Sequence, residues 1–392
     1  MKYIRNISRF IVGFVFVFSG FVKGIDPLGS TYKFGDYFTA FGLESLEPSA
    51  FPLAIILSTF EFIIGFALIF NLKTKINSWI VLIFMSFFTL LTLYLAIENP
   101  VSDCGCFGDA IIMTNWETFY KNVIILLPTL IIFFYRNYFR SPLTEKKQYG
   151  ALGIGIVLML SVTFYSYQHL PILDFRPYNI GANIPEKMEI PEDAPQPEYK
   201  TILKYKKDGE IREFKMDSLP DSTWQWVETK NIKVKEGYKP PIQDFSISTL
   251  GGEDITDIIL DQNKFTFILI AHTLEEASDR NIDDIKKLAE YSRNNENCSF
   301  ISLTSSLEKD IKNYKEKHDI KFQFYNADEI TLKTIVRSNP GLILLKKGTI
   351  LDKWHHNDIP APKEVIEEYL DSPKYQKQKR DSKDNTTEEI SS

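Results

Sequence analysis

Two cysteines set one residue apart carry the most specific chemistry in this sequence. They stand in Asp103-Cys104-Gly105-Cys106-Phe107-Gly108-Asp109. A glycine between them gives the backbone the freedom that so tight a turn requires. Such a pair can close a small disulfide ring, and a strained ring is readily reduced. Three readings follow. The cysteines form a redox-active pair that receives or donates electrons, or a disulfide that only closes a loop, or part of a metal site. The last is the weakest, because two thiolates do not complete a tetrahedral shell. The second chemical feature is Glu61, a carboxylate near the middle of an otherwise apolar run. A charge at that depth is costly, so it must face the bundle interior with a partner. Lys23 is the obvious partner, with Asn77 and Thr89 weaker candidates. The pair would serve either as a proton or quinone-headgroup site, or as an ion pair that fixes helix packing.

These residues need helices to place them. A bilayer core requires about 20 apolar residues per helix. Segments 4–22, 53–72, 77–97, 116–135 and 148–168 meet or nearly meet that requirement. The first begins with Lys2, Arg5 and Arg9, as a signal peptide would. No small-residue cleavage site follows it and more spans do, so it reads as a retained helix. Short-loop lysines and arginines give the orientation. One side holds Lys2, Arg5, Arg9, Lys73, Lys75, Arg136, Arg140, Lys146 and Lys147; the other holds Lys23, Lys33 and Lys121. The richer side should be cytoplasmic. The N-terminus is then inside, and loops 24–52 and 98–118 are outside. Five spans put the C-terminal half outside as well. In a bacterium this describes a multi-pass inner-membrane protein with a periplasmic C-terminal half, its cysteine pair in an oxidising compartment.

Composition narrows the classes further. The 392 residues include 45 Lys plus Arg against 51 Asp plus Glu, a net charge of −6. No basic excess exists to neutralise phosphates, which excludes a general nucleic-acid binder. Three cysteines exclude a disulfide-stapled scaffold and a four-thiolate zinc site. Five scattered histidines argue against a His-rich metal centre, and no metal is expected.

Beyond the fifth span the chain changes character. Residues 171–198 carry six prolines and several acids, and read as a linker. Residues 199–241 read as a small β-rich segment, with a hairpin signal at Lys207-Asp208-Gly209 and a further strand near Trp224 and Trp226. From 242 to 372 strands and helices alternate. Strands are expected at 265–271, 298–304, 322–325, 342–346 and 349–354, and helices at 277–292, 307–318, 329–336 and 363–370. Cys298 opens a strand and reads as a small buried hydrophobe rather than a reactive thiol. His272 is either a hydrogen-bonded structural residue or a ligand. His355 and His356, adjacent in a strand, should point to opposite faces. Residues 373–392 are charged and expected to be disordered.

That order resembles a thioredoxin-like domain. The most specific match is Asn339-Pro340-Gly341 directly before a hydrophobic hairpin strand. The resemblance implies a cis-proline at Pro340, beside the place where the family keeps its redox site. The family's active cysteines should fall near His272-Thr273-Leu274-Glu275-Glu276, and no cysteine stands there. A thiolate is the nucleophile of disulfide exchange, so a redox-inactive docking domain is implied, with Pro340 and Asn339 in its partner-docking groove.

The membrane half carries a second resemblance. Phe18-Ser19-Gly20-Phe21-Val22-Lys23-Gly24-Ile25-Asp26-Pro27, Glu61-Phe62-Ile63-Ile64-Gly65 and the later Cys-Gly-Cys-Phe-Gly loop are similar to the DoxX-like membrane family, in its methylamine-utilisation (MauE) branch. The resemblance spans residues 1–140 and implies a four-helix membrane domain, to which 141–170 adds a fifth helix. It also implies work beside a periplasmic thiol or thioredoxin-like protein. The expected fold is thus an α-helical membrane bundle followed by an extracytoplasmic α/β thioredoxin-like domain with a small β-rich insert. Two functions remain open. One is a membrane thiol–disulfide relay, or an accessory to one, with Cys104 and Cys106 as the redox pair. Quinone would then be an acceptor near Glu61 and Lys23. The other is a non-catalytic anchor or scaffold for an envelope complex.

Overall fold

The computed structural model describes residues 2–207, 209–216, 218–235 and 237–370. The tail expected at 373–392 and Asp208 of the expected hairpin turn lie outside the described residues. Five helices are long and apolar enough to cross a bilayer. They are α1 (Lys2–Ile25), α3 (Ala50–Ile69, extended by a 3-10 turn at Glu44–Ser49), α4 (Thr74–Glu98), α5 (Asn115–Phe134) and α6 (Glu145–Gln168). Small residues let α1 and α3 pack backbone to backbone. A Cβ at Gly20 would lie 2.4 Å from the Phe62 nitrogen, so only glycine fits there. Arg9 sits inside α1 yet is not stranded in lipid. Its guanidinium donates to the Leu68 carbonyl and, at 2.8 Å, to the Ile69 carbonyl, capping the last turn of α3.

One helix was not anticipated. Segment 24–52, expected as a loop, contains α2 (Pro27–Ala40). Asp26 caps it by accepting from the Gly29 N–H at 2.9 Å, and Pro27 occupies the first turn. The Asp-Pro pair was the available start signal. At the other end of the site, α5 opens on a reciprocal capping box between Thr114 and Glu117. Together with Asn99, which closes α4 in a left-handed conformation, this box bounds the cysteine loop.

The C-terminal half holds two sheets. The smaller has order β2-β1-β3, from β1 (Glu198–Lys207), β2 (Glu210–Lys215) and β3 (Gln225–Lys235), all antiparallel. The larger uses β4 (Phe265–Ile270), β5 (Cys298–Thr304), β6 (Gln323–Asn326), β7 (Gly341–Lys346) and β8 (Thr349–His355) in the order β6-β5-β4-β7-β8. β4, β5 and β6 run parallel, while β7 is antiparallel to β4 and β8 to β7. Helices α9 (Ile282–Arg293) and α10 (Glu308–His318) cover one face through Ile285, Leu288, Ile311 and Tyr314. The other face is covered by α8 (Thr256–Leu260), α11 (Glu329–Ile335) and the stretch around Phe245 and Ile247. Every residue of β4 is buried, as a two-faced central strand requires. This is a thioredoxin-like α/β fold, and the Asn339–Pro340 peptide that enters β7 is cis.

Two expectations need correction. Residues 171–198 are not simply a linker. Tyr178, Ala182 and Ile184 are buried, and Ile184 opens a short helix, α7 (Ile184–Met188). Asn183 also bridges to Thr349 at the start of β8. Prolines kept this stretch extended, but its few apolar side chains found the uncovered sheet face. His355 and His356 do not diverge either. β8 ends at His355, the strand alternation stops, and the two rings lie 4.0 Å apart. The closing helix expected at 363–370 begins as α12 (Pro362–Val365) and widens into a π-helical turn at Ile366–Leu370.

Candidate functional site

Lys23 lies near the C-terminus of α1 and Glu61 midway along α3. The close α1–α3 crossing brings them together, with Lys23 Nζ 2.7 Å from Glu61 Oε2. Both side chains are nearly buried, at 11% and 7% exposure. Ser19, one turn before Lys23, completes the cluster. Its hydroxyl donates to Glu61 Oε2 at 2.9 Å and receives from Lys23 Nζ at 2.7 Å. Sequence reasoning missed Ser19, although its i−4 relation to Lys23 was the visible signal. Neither of the weaker candidate partners joins this cluster. Asn77 donates to the Ile64 carbonyl, and Thr89 to the Met85 carbonyl within its own helix.

The cluster reaches directly into the cysteine loop. Lys23 Nζ lies 2.7 Å from the Cys106 carbonyl oxygen, and Ser19 Oγ lies at the same distance. A buried ion pair at the end of two packed helices therefore anchors the backbone of one cysteine. The other side of the loop is held from α2. Tyr37 donates to the Cys104 carbonyl at 3.0 Å, and Lys33 pairs with Asp103 at 3.1 Å. Asp103 in turn accepts from the Gly105 N–H at 2.9 Å. Gly105 has φ +65°, a left-handed conformation that favours glycine, which is why the residue between the cysteines is one. Phe107 follows, edge-on to Phe18 and beneath the Lys121 ammonium at 4.4 Å from the ring centre.

The two thiols face each other, with 3.1 Å between the sulfurs. Their environments drive them apart in acidity. The hydrogen bond from Cys104 stabilises the Cys106 thiolate, and the Lys121 and Lys23 ammoniums add to it against the opposing effect of burial. The Cys106 thiol is held down to about 6. The Cys104 thiol is pushed up, first by that same hydrogen bond and then by burial. Cys106 is the more exposed of the two. The arrangement is a poised nucleophile beside a protonated resolving thiol. Cys298 is far from this chemistry. It is buried in the sheet core, and burial pushes its thiol up to about 11.

The thioredoxin-like domain rests against this end of the bundle. Arg337, three residues before Pro340, pairs with Asp26 at 3.0 Å and with Asp109 of the cysteine loop at 3.1 Å. Its guanidinium also lies over the Tyr32 ring of α2. Burial opposes the charge on Asp26, but Arg337 outweighs it and holds that carboxyl below its ordinary value. Pro340 is buried in this arrangement and Asn339 partly so. Asn339 Nδ2 donates to the Thr273 carbonyl at 2.8 Å, which ties the cis-proline turn to the segment after β4. His272 in that segment is buried and held neutral, its imidazole pulled down to about 4 by desolvation. Among the described residues no group of three or more His, Cys, Asp or Glu side chains is placed to hold a metal ion.

Beneath the loop lies a cavity of about 640 Å³. It is lined by Lys23, Glu61, Cys104, Cys106 and Lys121, by several phenylalanines, and by Arg176 and Arg337.

Comparison with known proteins falls into two parts. Residues 1–135 match the family described as methylamine utilisation protein MauE, and residues 199–236 match a domain family of unknown function, DUF8463. The chain is accordingly a multi-pass membrane protein over its first half. A comparison with curated proteins found no match. Solved structures similar to the C-terminal part include a secreted thiol-disulfide isomerase from Corynebacterium glutamicum, at 13% identity. It covers 32% of this chain and 81% of that one, with a TM-score of 0.26. A secreted Mycobacterium tuberculosis disulfide oxidoreductase is 13% identical over 31% of this chain and 91% of its own, with a TM-score of 0.25. A peroxiredoxin-like protein from Aquifex aeolicus is 11% identical over 32% and 80%, with a TM-score of 0.25. The strand order, rather than these scores, carries the fold.

Proposed function

We propose that this protein is a membrane thiol–disulfide relay, with Cys104 and Cys106 as the redox pair. The observation that carries this reading is the facing dithiol whose Cys106 backbone is anchored on the buried Lys23–Glu61–Ser19 cluster. A loop disulfide with a purely structural role would need neither a thiolate-stabilising pair of ammoniums nor a cavity at its wall. In the relay, a dithiol on a partner protein reduces the Cys104–Cys106 disulfide. The partner gains a disulfide, and this chain gains two thiols with the two electrons and two protons. The short-loop charge bias supports an exchange on the periplasmic side of a bacterial inner membrane. The thioredoxin-like domain has no cysteine near 272–276 and serves as a docking element rather than a second redox centre. Arg337, three residues before Pro340, is clasped to the bundle, so docking through Asn339 and Pro340 would take place beside that contact.

Single substitutions test the reading. Cys106 carries the thiolate and is the more exposed residue of the two, so the mixed disulfide with a partner forms there. Cys104→Ser removes the resolving thiol; its Cys106 thiolate, attacking the disulfide form of the partner in the reverse exchange, displaces one partner thiolate and should accumulate a partner-linked, reductant-sensitive adduct. Cys106→Ser should give none. If both variants remain functional and neither traps an adduct, the relay reading fails. The anchor reading then leads, favoured by the Arg337 clasp and by the missing thiols after β4.

A further inference from the structure

We infer that the cavity beneath the cysteine loop binds a lipophilic quinone, which is the oxidant that returns Cys104 and Cys106 to the disulfide. The inference rests on the relay reading and names its electron acceptor. Three observations carry it. The first is the cavity itself, about 640 Å³ and within the range of small-molecule sites. Phe34, Phe38, Phe84 and Phe88 line it, so it suits a flat ring with an apolar tail. The second is its opening. Ile56 and Phe60 of α3 and Phe87 of α4 line the cavity and are also exposed on the bundle surface, at 62%, 43% and 60%. At the depth of these spans that surface faces lipid, so the site is reached from the bilayer. The third is Lys121. Lys121 lines the cavity with both cysteines, its ammonium lies over the Phe107 ring, and among the described residues it pairs with no carboxylate. A cation whose counter-charge is the Cys106 thiolate loses it as the sulfur gives up its electrons, and a quinone carbonyl that becomes anionic on reduction takes its place.

The step balances as follows. The Cys106 thiolate and the Cys104 thiol give up two electrons and form the sulfur–sulfur bond. The quinone takes both electrons, the Cys104 proton and one proton from solvent delivered at Lys121, and leaves as hydroquinone.

The test uses the full-length Cys298→Ser protein, reduced, in quinone-free lipid nanodiscs. Decylubiquinone is added; its fully substituted ring cannot simply arylate a thiol. Ubiquinone absorbance and free thiols are followed together, and the heat stability of the oxidised protein reports binding apart from turnover. We expect one ubiquinol per disulfide formed, a heat-stability gain with decylubiquinone, and no ubiquinol from Cys106→Ser. Lys121→Met should slow quinone reduction at least about tenfold, the loss of one charge-assisted contact. Lys121→Arg should restore it, which separates charge from packing. Exchange with glutathione disulfide is followed in each variant, and Lys121→Met should lose more of its rate with decylubiquinone than with glutathione disulfide. If decylubiquinone neither stabilises nor oxidises a protein that glutathione disulfide still oxidises, the quinone inference is overturned and the relay stands. If glutathione disulfide also leaves the thiols untouched, the relay itself is wrong.

Discussion

A thiol is nucleophilic only as its thiolate, and here one of two neighbouring thiols is held in that form. Cys106 benefits from the Cys104 hydrogen bond and from two ammoniums, and its acidity is drawn down to about 6. Below that pH it is protonated and slow; above it, reactive. Alkylation of the reduced protein by iodoacetamide should therefore show Cys106 modified with a midpoint near pH 6, well under the usual thiol range. Cys104 should lag until far higher pH. In Cys104→Ala the Cys106 midpoint should rise, because the donor to its thiolate is gone. A Cys106 midpoint near 9 in the parent would remove the poised nucleophile from the account. At this scale part of the site could be inferred without coordinates. A carboxylate in an apolar span must find a cation, and few cations lay within reach of Glu61. The contact from that pair to the Cys106 carbonyl could not be inferred, because it joins three segments through a backbone oxygen that every residue type carries.

At the level of elements, the site depends on how closely α1 and α3 approach. Gly20 sits where their backbones touch, and a methyl group there would meet the Phe62 nitrogen at 2.4 Å. Gly20→Ala should force the helices apart and cost about 1–3 kcal/mol, as overpacking does. It should also separate Lys23 from Glu61 and free the cysteine loop. The measurement is stability toward denaturing detergent, read beside the Cys106 alkylation midpoint. A variant with unchanged stability and midpoint would show that the crossing does not set the site. The five spans were legible because a run of apolar residues is a local property, and so was the strand–helix alternation of the C-terminal half. α2 was not, since it buries only Pro27 and Phe38, too few to leave a helical apolar period, and only its Asp-Pro start marks it. The packing of 178–188 was hidden by its prolines. Its burial depends on a sheet face formed by residues 80 or more positions later, and local composition carries no trace of that.

For the whole molecule, the question is what joins the membrane bundle to the thioredoxin-like domain. Arg337 is the main visible clasp, nearly buried between Asp26 and Asp109, and it lines the same cavity as the cysteines. His169 at the end of α6 adds a contact to Asp358 at 2.7 Å. Removing one partner of a buried charged pair leaves the other uncompensated, at a cost of about 3–5 kcal/mol. Arg337→Ala should therefore release the domain, while its sheet persists, since within the domain that side chain donates only to the Lys333 carbonyl at the end of α11. Labelling of Cys104 and Cys106 by a bulky maleimide should quicken several-fold, and protease should cut more readily between α6 and α7. Asp26→Asn with Asp109→Asn should reproduce both effects. Unchanged labelling in all three would mean that the clasp does not govern access to the thiols.

The central claim is that Cys104 and Cys106 cycle between dithiol and disulfide. Its most direct test is their redox state in intact cells that make the Cys298→Ser protein. Free thiols are trapped with a membrane-impermeant maleimide, with and without prior mild reduction. The account predicts that both forms are present, that mild reduction converts the disulfide to labelled thiols, and that the label arrives from outside the cytoplasmic membrane. A pair that is always oxidised and resists mild reduction would contradict it, and would make the loop a structural closure.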